Sequence, residues 1–302
     1  MSKTLVVLAG PTAVGKTSCG IELASHWGTE IISADSRQIY RETTIGTAVP
    51  SPEQLSRVKH HFIQTVSVRE RYNASIYEIQ VLNKLEKLFK VYDLVLMVGG
   101  SGLYIDAVCK GIDDLPSIEP ELRAELLERY EKEGLEPLTR QLYQLDPVSF
   151  GKVDLRNPMR VLKALEVSIQ TGLPYSSFLT DKEKERPFRI LHMALDLDRE
   201  LLYGRINGRV DRMMAAGLLE EAEQLQALKG YTAMKTVGYR ELFRVMDGEL
   251  SLHEGVDLIK RNTRKFARKQ LTWFRKEKRY QWFRPDQERE MIDWVESRVA
   301  YL

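Results

Sequence analysis

Four short apolar runs stand out along the chain: Thr4 to Ala9, Glu30 to Ile32, Leu94 to Val98 and Ile190 to Leu197. Each is too short for a buried helix and too continuous for a half-exposed strand. That pattern predicts strands of a parallel sheet covered on both faces. Between and after them the periodicity is helical. Thr17 to Trp27 predicts the first helix, and Glu119 to Glu133, Leu135 to Leu145 and Pro158 to Gln170 predict a charged helical segment. Further helices are expected at Leu201 to Ala216, at Leu218 to Leu228 and over a long amphipathic stretch, Val256 to Tyr280. Strand, glycine loop, helix, strand is the opening of an α/β fold whose ligands bind at the carboxyl ends of strands. We therefore expect an α/β core of the P-loop NTPase-like, parallel-sheet kind with a helical insertion. Its first part covers residues 1–115, the insertion 116–189, and the remainder of the core with a basic helical C-terminal region 190–302.

Composition narrows the picture without deciding it. With 302 residues, 43% hydrophobic and 29% charged, the chain has the make-up of a globular protein. A net charge of +2 is too small to identify a nucleic-acid binder. Its distribution says more: eleven Lys or Arg lie between Val256 and Arg284, against only Asp257 and Glu277. Cys19 and Cys109 are isolated, with no metal-binding spacing and no disulfide framework. No apolar run is long enough to span a membrane, and the N-terminal region leads directly into a strand. A cytoplasmic protein is the expectation.

The segment Gly10-Pro-Thr-Ala-Val-Gly-Lys-Thr17 fits G-x-x-x-x-G-K-[ST] in full, between a strand and a helix. Glycines there let successive backbone N–H groups face phosphate oxygens. Lys16 adds a point charge, and the Thr17 hydroxyl can ligate a phosphate-bound Mg²⁺. The motif does not distinguish ATP from another phosphate donor. Asp35, after the second strand, is a candidate general base or Mg²⁺-associated group; a turn-forming aspartate that caps the following backbone is the alternative. Gln38 has the paired donor and acceptor that can read a base edge, although most exposed glutamines are simply solvated. The Gly99-Gly-Ser-Gly102 turn places Ser101 at another strand end, where its glycines could equally serve tight packing. Arg205 and Arg209 share one helix face and could reach phosphates together, or form a solvated pair near Asp198 and Asp211. In the tail, Arg261, Arg264, Lys265, Arg268 and Lys269 recur on one helix face, a pattern suited to RNA phosphates; the neighbouring aromatics are expected in the core.

Taken in order, these segments resemble the bacterial tRNA dimethylallyltransferase (tRNA isopentenyltransferase) family. The resemblance adds Ile45-Gly-Thr-Ala48, Asn157-Pro-Met-Arg160, Arg205-Ile-Asn-Gly-Arg209, Val237-Gly-Tyr-Arg240 and Thr263 to Arg275, and covers about residues 4 to 284. It implies transfer of a dimethylallyl group from dimethylallyl diphosphate to N6 of adenosine 37 in the tRNA anticodon stem-loop. Gly10, Pro11, Thr12, Ala13, Val14, Gly15, Lys16 and Thr17 would hold the diphosphate with Mg²⁺. Asp35 would be the base, with Lys16, Thr17, Arg209 and Arg205 stabilising the leaving group. Acceptor contacts would fall to Asp35, Ser36, Arg37, Gln38, Ser101 and Arg123, to Met159, Arg160, Val161, Leu162 and Lys163, and to Lys235, Gly238, Tyr239 and Arg240. Ser101 stands where threonine is more usual, Val14 where a small polar residue is, and Lys163 where arginine is, losing bidentate geometry. The zinc-binding extension of some eukaryotic relatives is not expected, in keeping with two isolated cysteines. A monomer is expected, since a tRNA-sized surface fits one chain. The rivals are an enzyme that prenylates free adenine nucleotides, an ATP-dependent small-molecule kinase, and an RNA-binding module with an inactive phosphate site.

Overall fold

The computed structural model describes residues 3–180 and 182–299. The chain divides into two compact units. One joins the segment ending at Lys110 to the segment beginning at Glu185; the other is Gly111–Lys184.

The first unit is built on a six-stranded parallel sheet. It opens with β1 (Thr4–Ala9), α1 (Lys16–His26), β2 (Ile31–Ala34), α2 (Pro52–Arg57), the two-residue β3 (His60–His61), α3 (Ala74–Leu88), β4 (Leu94–Gly99) and α4 (Gly102–Lys110). In the second unit α5 (Pro120–Glu133), α6 (Glu136–Leu145), α7 (Pro147–Lys152) and α8 (Pro158–Thr171) follow. The chain then returns to the first with β5 (Arg189–Leu195), α9 (Arg199–Ala215), α10 (Leu218–Gln224), α11 (Tyr239–Met246), α12 (Leu252–Arg275), β6 (Gln281–Phe283) and α13 (Glu288–Val299).

Strand order is β3-β2-β4-β1-β5-β6. All six residues of β1 are buried, and β4 and β5 flank it on its two edges. This is the physical content of its unbroken apolar run. Its carboxyl end lies between those of β4 and β5, with Ala9 opposite both Gly99 and Ala194. Helix α1 lies close against β4: a Cβ on Gly20 would meet Val98 Cγ2 at 2.8 Å.

The structure adds elements that the sequence pattern did not predict, α2, β3, α3, α7, α11, β6 and α13, and moves the ends of others. The long basic helix starts earlier and ends at Arg275, because Ser251 and Glu254 form a capping box before it. Beyond it the chain pairs with β5 through β6, using Trp282 and Phe283 opposite Ala194 and Leu195. Asp198, weighed above as a solvated partner of arginines, is instead the N-cap of α9 and accepts from the Glu200 and Leu201 amides at 2.8 and 3.3 Å.

The second unit has its own apolar centre: Leu126, Leu138, Leu142, Val161, Leu162, Ala164 and Leu165. Beside it Arg123 lies 3.5 Å from Glu166, a carboxylate only 1% exposed. Burial raises the Glu166 pKa, against the lowering effect of Arg123 and Lys163.

Candidate active site

At the carboxyl edge of the sheet the loops after β1, β2 and β4 meet α9, the 235–240 segment and α12 around a cavity of about 640 Å³. Thr12, Ala13, Gly15, Lys16 and Thr17 form one wall, Asp35, Arg37, Gln38 and Ser101 another. Arg209, Lys235, Gly238 and Arg240 close it together with Lys265, Phe266 and Lys269.

The loop after β1 is shaped by its backbone. Gly10 has φ +149°, and a Cβ there would lie 2.9 Å from the Leu195 carbonyl oxygen. Gly15 caps α1 at φ +119°. Between them Ala13 takes φ +66°, a left-handed conformation that costs a non-glycine residue about 1–2 kcal/mol. Ala48, which also lines the cavity, is held at φ +53°. Strain of this kind persists only where surrounding contacts over-determine the backbone, and here it lines the cavity. Lys16 Nζ donates to the Pro11 carbonyl at 2.7 Å. Burial pulls its pKa down to about 7, Asp35 opposes the change and Arg209 adds to it. The Asp35 carboxylate thus offsets only part of the cost of burying the ammonium.

Asp35 is fixed by its own turn. Oδ1 accepts from the Arg37 and Gln38 amides at 2.8 and 3.3 Å, while Oδ2 has no hydrogen-bond partner among the described residues. The capping geometry weighed for this aspartate is thus present on Oδ1, and it leaves Oδ2 available to a ligand. Ser101 Oγ accepts from the Ser36 amide at 2.9 Å and lies 3.0 Å from Ser36 Oγ, tying the β2 and β4 loops together. Gln38 Nε2 donates to the Thr47 and Ala48 carbonyls at 3.3 and 2.8 Å. That leaves Oε1, an acceptor, as the amide atom free to meet a ligand.

The two arginines of α9 separate. Arg209 lines the cavity, 3.2 Å from Thr12 Oγ1, and burial lowers its pKa, with Arg212 adding to the effect and Asp35 opposing it. Arg205 donates to the Val14 carbonyl at 3.0 Å and is absent from the cavity wall. It braces the loop from outside.

Several expected contact residues are placed where their side chains cannot touch a ligand. Val14 is fully buried, and Pro11 is buried too. Val161 and Leu162 are 0% exposed in the core of the second unit, because they fall on the apolar face of α8. Met159 and Arg160 on the same helix are exposed. Tyr239 is fully buried, its hydroxyl donating to Glu221. The tail also sorts differently from expectation: Phe274 is core, whereas Phe266 and Trp273 are 43% and 40% exposed. Arg264 is occupied within the fold, 2.6 Å from Asn207 Oδ1 and over the Tyr203 ring.

Glu221 was not singled out by sequence. Its carboxylate accepts from the amides of Thr44, Ile45 and Gly46 at 3.1, 2.8 and 3.0 Å, and so fixes the loop whose carbonyls hold Gln38. A lone glutamate on an amphipathic helix gives no signal of this.

A divalent cation has few fixed ligands here. Among the described residues no three metal-ligating His, Cys, Asp or Glu side chains cluster. Thr17 and Asp35 both line the cavity, an oxygen-donor pair that fits an ion that arrives with a diphosphate and keeps much of its water.

Known proteins match this chain over nearly its whole length. A family model described as IPP transferase matches residues 38–277. A tRNA dimethylallyltransferase of Phocaeicola vulgatus is 50% identical over 98% of the chain and 99% of its own length. One from Bacteroides fragilis is 48% identical over 99% of both chains. Among solved structures, the tRNA isopentenylpyrophosphate transferase of Bacillus halodurans superposes with a TM-score of 0.72 at 31% identity, covering 99% of this chain and 97% of that one. A eukaryotic dimethylallyltransferase acting on tRNA reaches 0.77 at 26% identity, over 90% of this chain and 70% of its own.

Proposed function

The chain belongs to the IPP transferase family of tRNA dimethylallyltransferases, and from that premise we propose how its cavity performs the reaction. The enzyme transfers the dimethylallyl group of dimethylallyl diphosphate to N6 of adenosine 37 in tRNA, releasing diphosphate. One observation carries the residue assignment: Lys16, Thr17, Asp35, Gln38 and Arg209 all line one cavity, cations and acceptors on adjoining walls.

The diphosphate lies against the loop after β1, where the first-turn amides of α1 have no intrahelical partners. Lys16 and Arg209 gain the anion that their burial leaves wanting, and the charge that grows on the departing oxygen strengthens both interactions. Thr17 would hold a Mg²⁺ ion brought by the diphosphate, which would supply further charge neutralisation there. The adenine enters with its exocyclic amine toward Asp35 Oδ2 and Gln38 Oε1, both acceptors. N6 attacks the allylic carbon, the carbon–oxygen bond to diphosphate breaks, and the N6 proton passes to Asp35. The phosphate loop thus binds a leaving group and not ATP. Because the target base must leave the stack to reach the cavity, a flanking grip on RNA is needed. Lys265, Lys269, Lys235 and Arg240 at the cavity wall suit that grip, with Arg123, Met159, Arg160 and Lys163 of the second unit as further candidates.

The test is incubation with Mg²⁺ and labelled dimethylallyl diphosphate, offering an anticodon stem-loop, AMP or no acceptor, with ATP in a parallel set. Label on the stem-loop adenine is expected. Label on AMP alone, or ATP consumption with a phosphorylated product, would reject the assignment.

A further inference from the structure

The buried face of α12 consists of Gly255, Ile259, Ala267, Gln270 and Phe274. Among these Gln270 is the sole polar side chain, 7% exposed. A buried carboxamide is costly unless its donor and acceptor are both satisfied. Here Oε1 accepts from the Thr12 amide at 2.8 Å and Nε2 donates to the Gly100 carbonyl at 2.9 Å. One amide therefore clasps the loops that follow β1 and β4.

The glycine turn is cut to admit it. A Cβ on Gly100 would lie 2.4 Å from Gln270 Nε2. One on Gly102 would lie 2.4 Å from the ring of Trp273, one helical turn further on, whose Nε1 donates to Asp106 Oδ2 at 2.9 Å. The glycines of this turn thus make room for the helix. The Thr12 amide is spent on Gln270 and Pro11 has no N–H, so the phosphate-facing donors begin after Thr12.

We propose that Gln270 is a positioning residue of the transfer reaction, setting the diphosphate loop from the helix that carries Lys265, Phe266 and Lys269 on the same cavity wall. It acts through the Thr12 amide and the Gly100 carbonyl. The inference rests on the reading of that loop as the diphosphate site.

Two variants test it, Gln270→Met and Gln270→Glu, with pyrophosphate and Mg²⁺ binding by calorimetry and steady-state kinetics for both substrates. In Gln270→Met, pyrophosphate affinity should fall at least about tenfold and KM for dimethylallyl diphosphate should rise in step, as expected from losing one or two net hydrogen bonds. KM for the stem-loop should change less than about twofold if phosphate contacts away from the loop are intact. A protonated glutamic acid offers one O–H donor and one carbonyl acceptor, the pair that glutamine supplies; its carboxylate has no donor. Gln270→Glu should therefore bind pyrophosphate poorly near pH ~8 and recover relative to wild type towards pH ~5.5. A residue that only fills space predicts a flat ratio. Unchanged affinity in Gln270→Met, or a flat Gln270→Glu to wild-type ratio, overturns the inference; if the methionine variant does not fold, the glutamate ratio decides. Wild-type protein that fails to bind pyrophosphate would sink the diphosphate reading and the inference together.

Discussion

Lys16 and Asp35 frame the chemistry at the scale of single residues. Lys16 has a free-state pKa near about 7, pulled down by burial. A bound diphosphate raises it, so above that pH the complex holds a proton that the free protein has lost. Binding should then take up a proton, and affinity should fall as pH rises above about 7, while below it Lys16 is protonated in both states. Calorimetry in buffers of different ionisation heat measures this uptake; no uptake near pH ~8 would contradict the assignment. Without ligand the same depressed value has a second consequence. The unfolded chain binds the proton more tightly, so this lysine's contribution to stability rises with pH between about 7 and the ordinary lysine value of 10.5. Asp35 makes a separate prediction. Asp35→Asn keeps an acceptor for the Arg37 and Gln38 amides but removes the proposed base, so kcat should drop about 10²–10⁴-fold with stem-loop affinity and melting temperature nearly unchanged. Turnover near the wild-type rate would show that the proton leaves by another route.

Elements position these residues through a few polar anchors. The loop from Thr44 to Ala48 has no regular structure, yet three of its amides converge on Glu221 of α10 and two of its carbonyls on Gln38. Replacing Glu221 by Ala should cost about 1.5–3 kcal/mol, the range for hydrogen bonds to a charged group. Because Gln38 loses its fixed orientation, catalysis of the correct acceptor should fall beyond what the stability loss explains. A chemical denaturation curve and kcat/KM for the stem-loop, measured on the same preparation, separate the two. Loss of stability with full activity would mean that Gln38 does not need the loop. Helix α12 also divides its basic side chains by role. Arg264 and Lys260 are committed to Asn207 and Asp211 on α9, whereas Lys265 and Lys269 face the cavity.

That division is visible at the scale of the whole molecule as a salt dependence. Removing Lys265 and Lys269 together should lower the slope of log affinity for the stem-loop against log salt by about 1–2, while Arg264→Ala should act mainly on stability. Filter binding across a salt series measures the first. An unchanged slope would take this face out of the RNA interface. Net charge of +2 hides such a face because acidic residues elsewhere balance it. The second unit, Gly111–Lys184, is an independent cluster with its own apolar centre.

The sequence by itself determined four of the six parallel strands, the glycine loop and the family, because each is a local pattern: continuous apolar runs, fixed glycine spacing, motifs in order. It placed Lys16, Asp35, Gln38 and Arg209 among the candidates, since charge and position after a strand are readable from neighbours alone. Tertiary structure decided what those residues touch. The contrast between Arg205 and Arg209, the burial of Val161, Leu162 and Tyr239, and the exposure of Phe266 depend on which helix faces which loop. Glu221 carries no local signature, and Gln270 only its place in the Thr263 to Arg275 segment, which says nothing of what it touches. Their partners lie 258 and 170 residues away for Gln270 and at least 175 for the loop amides of Glu221, and only the packed sheet edge brings them within hydrogen-bond reach.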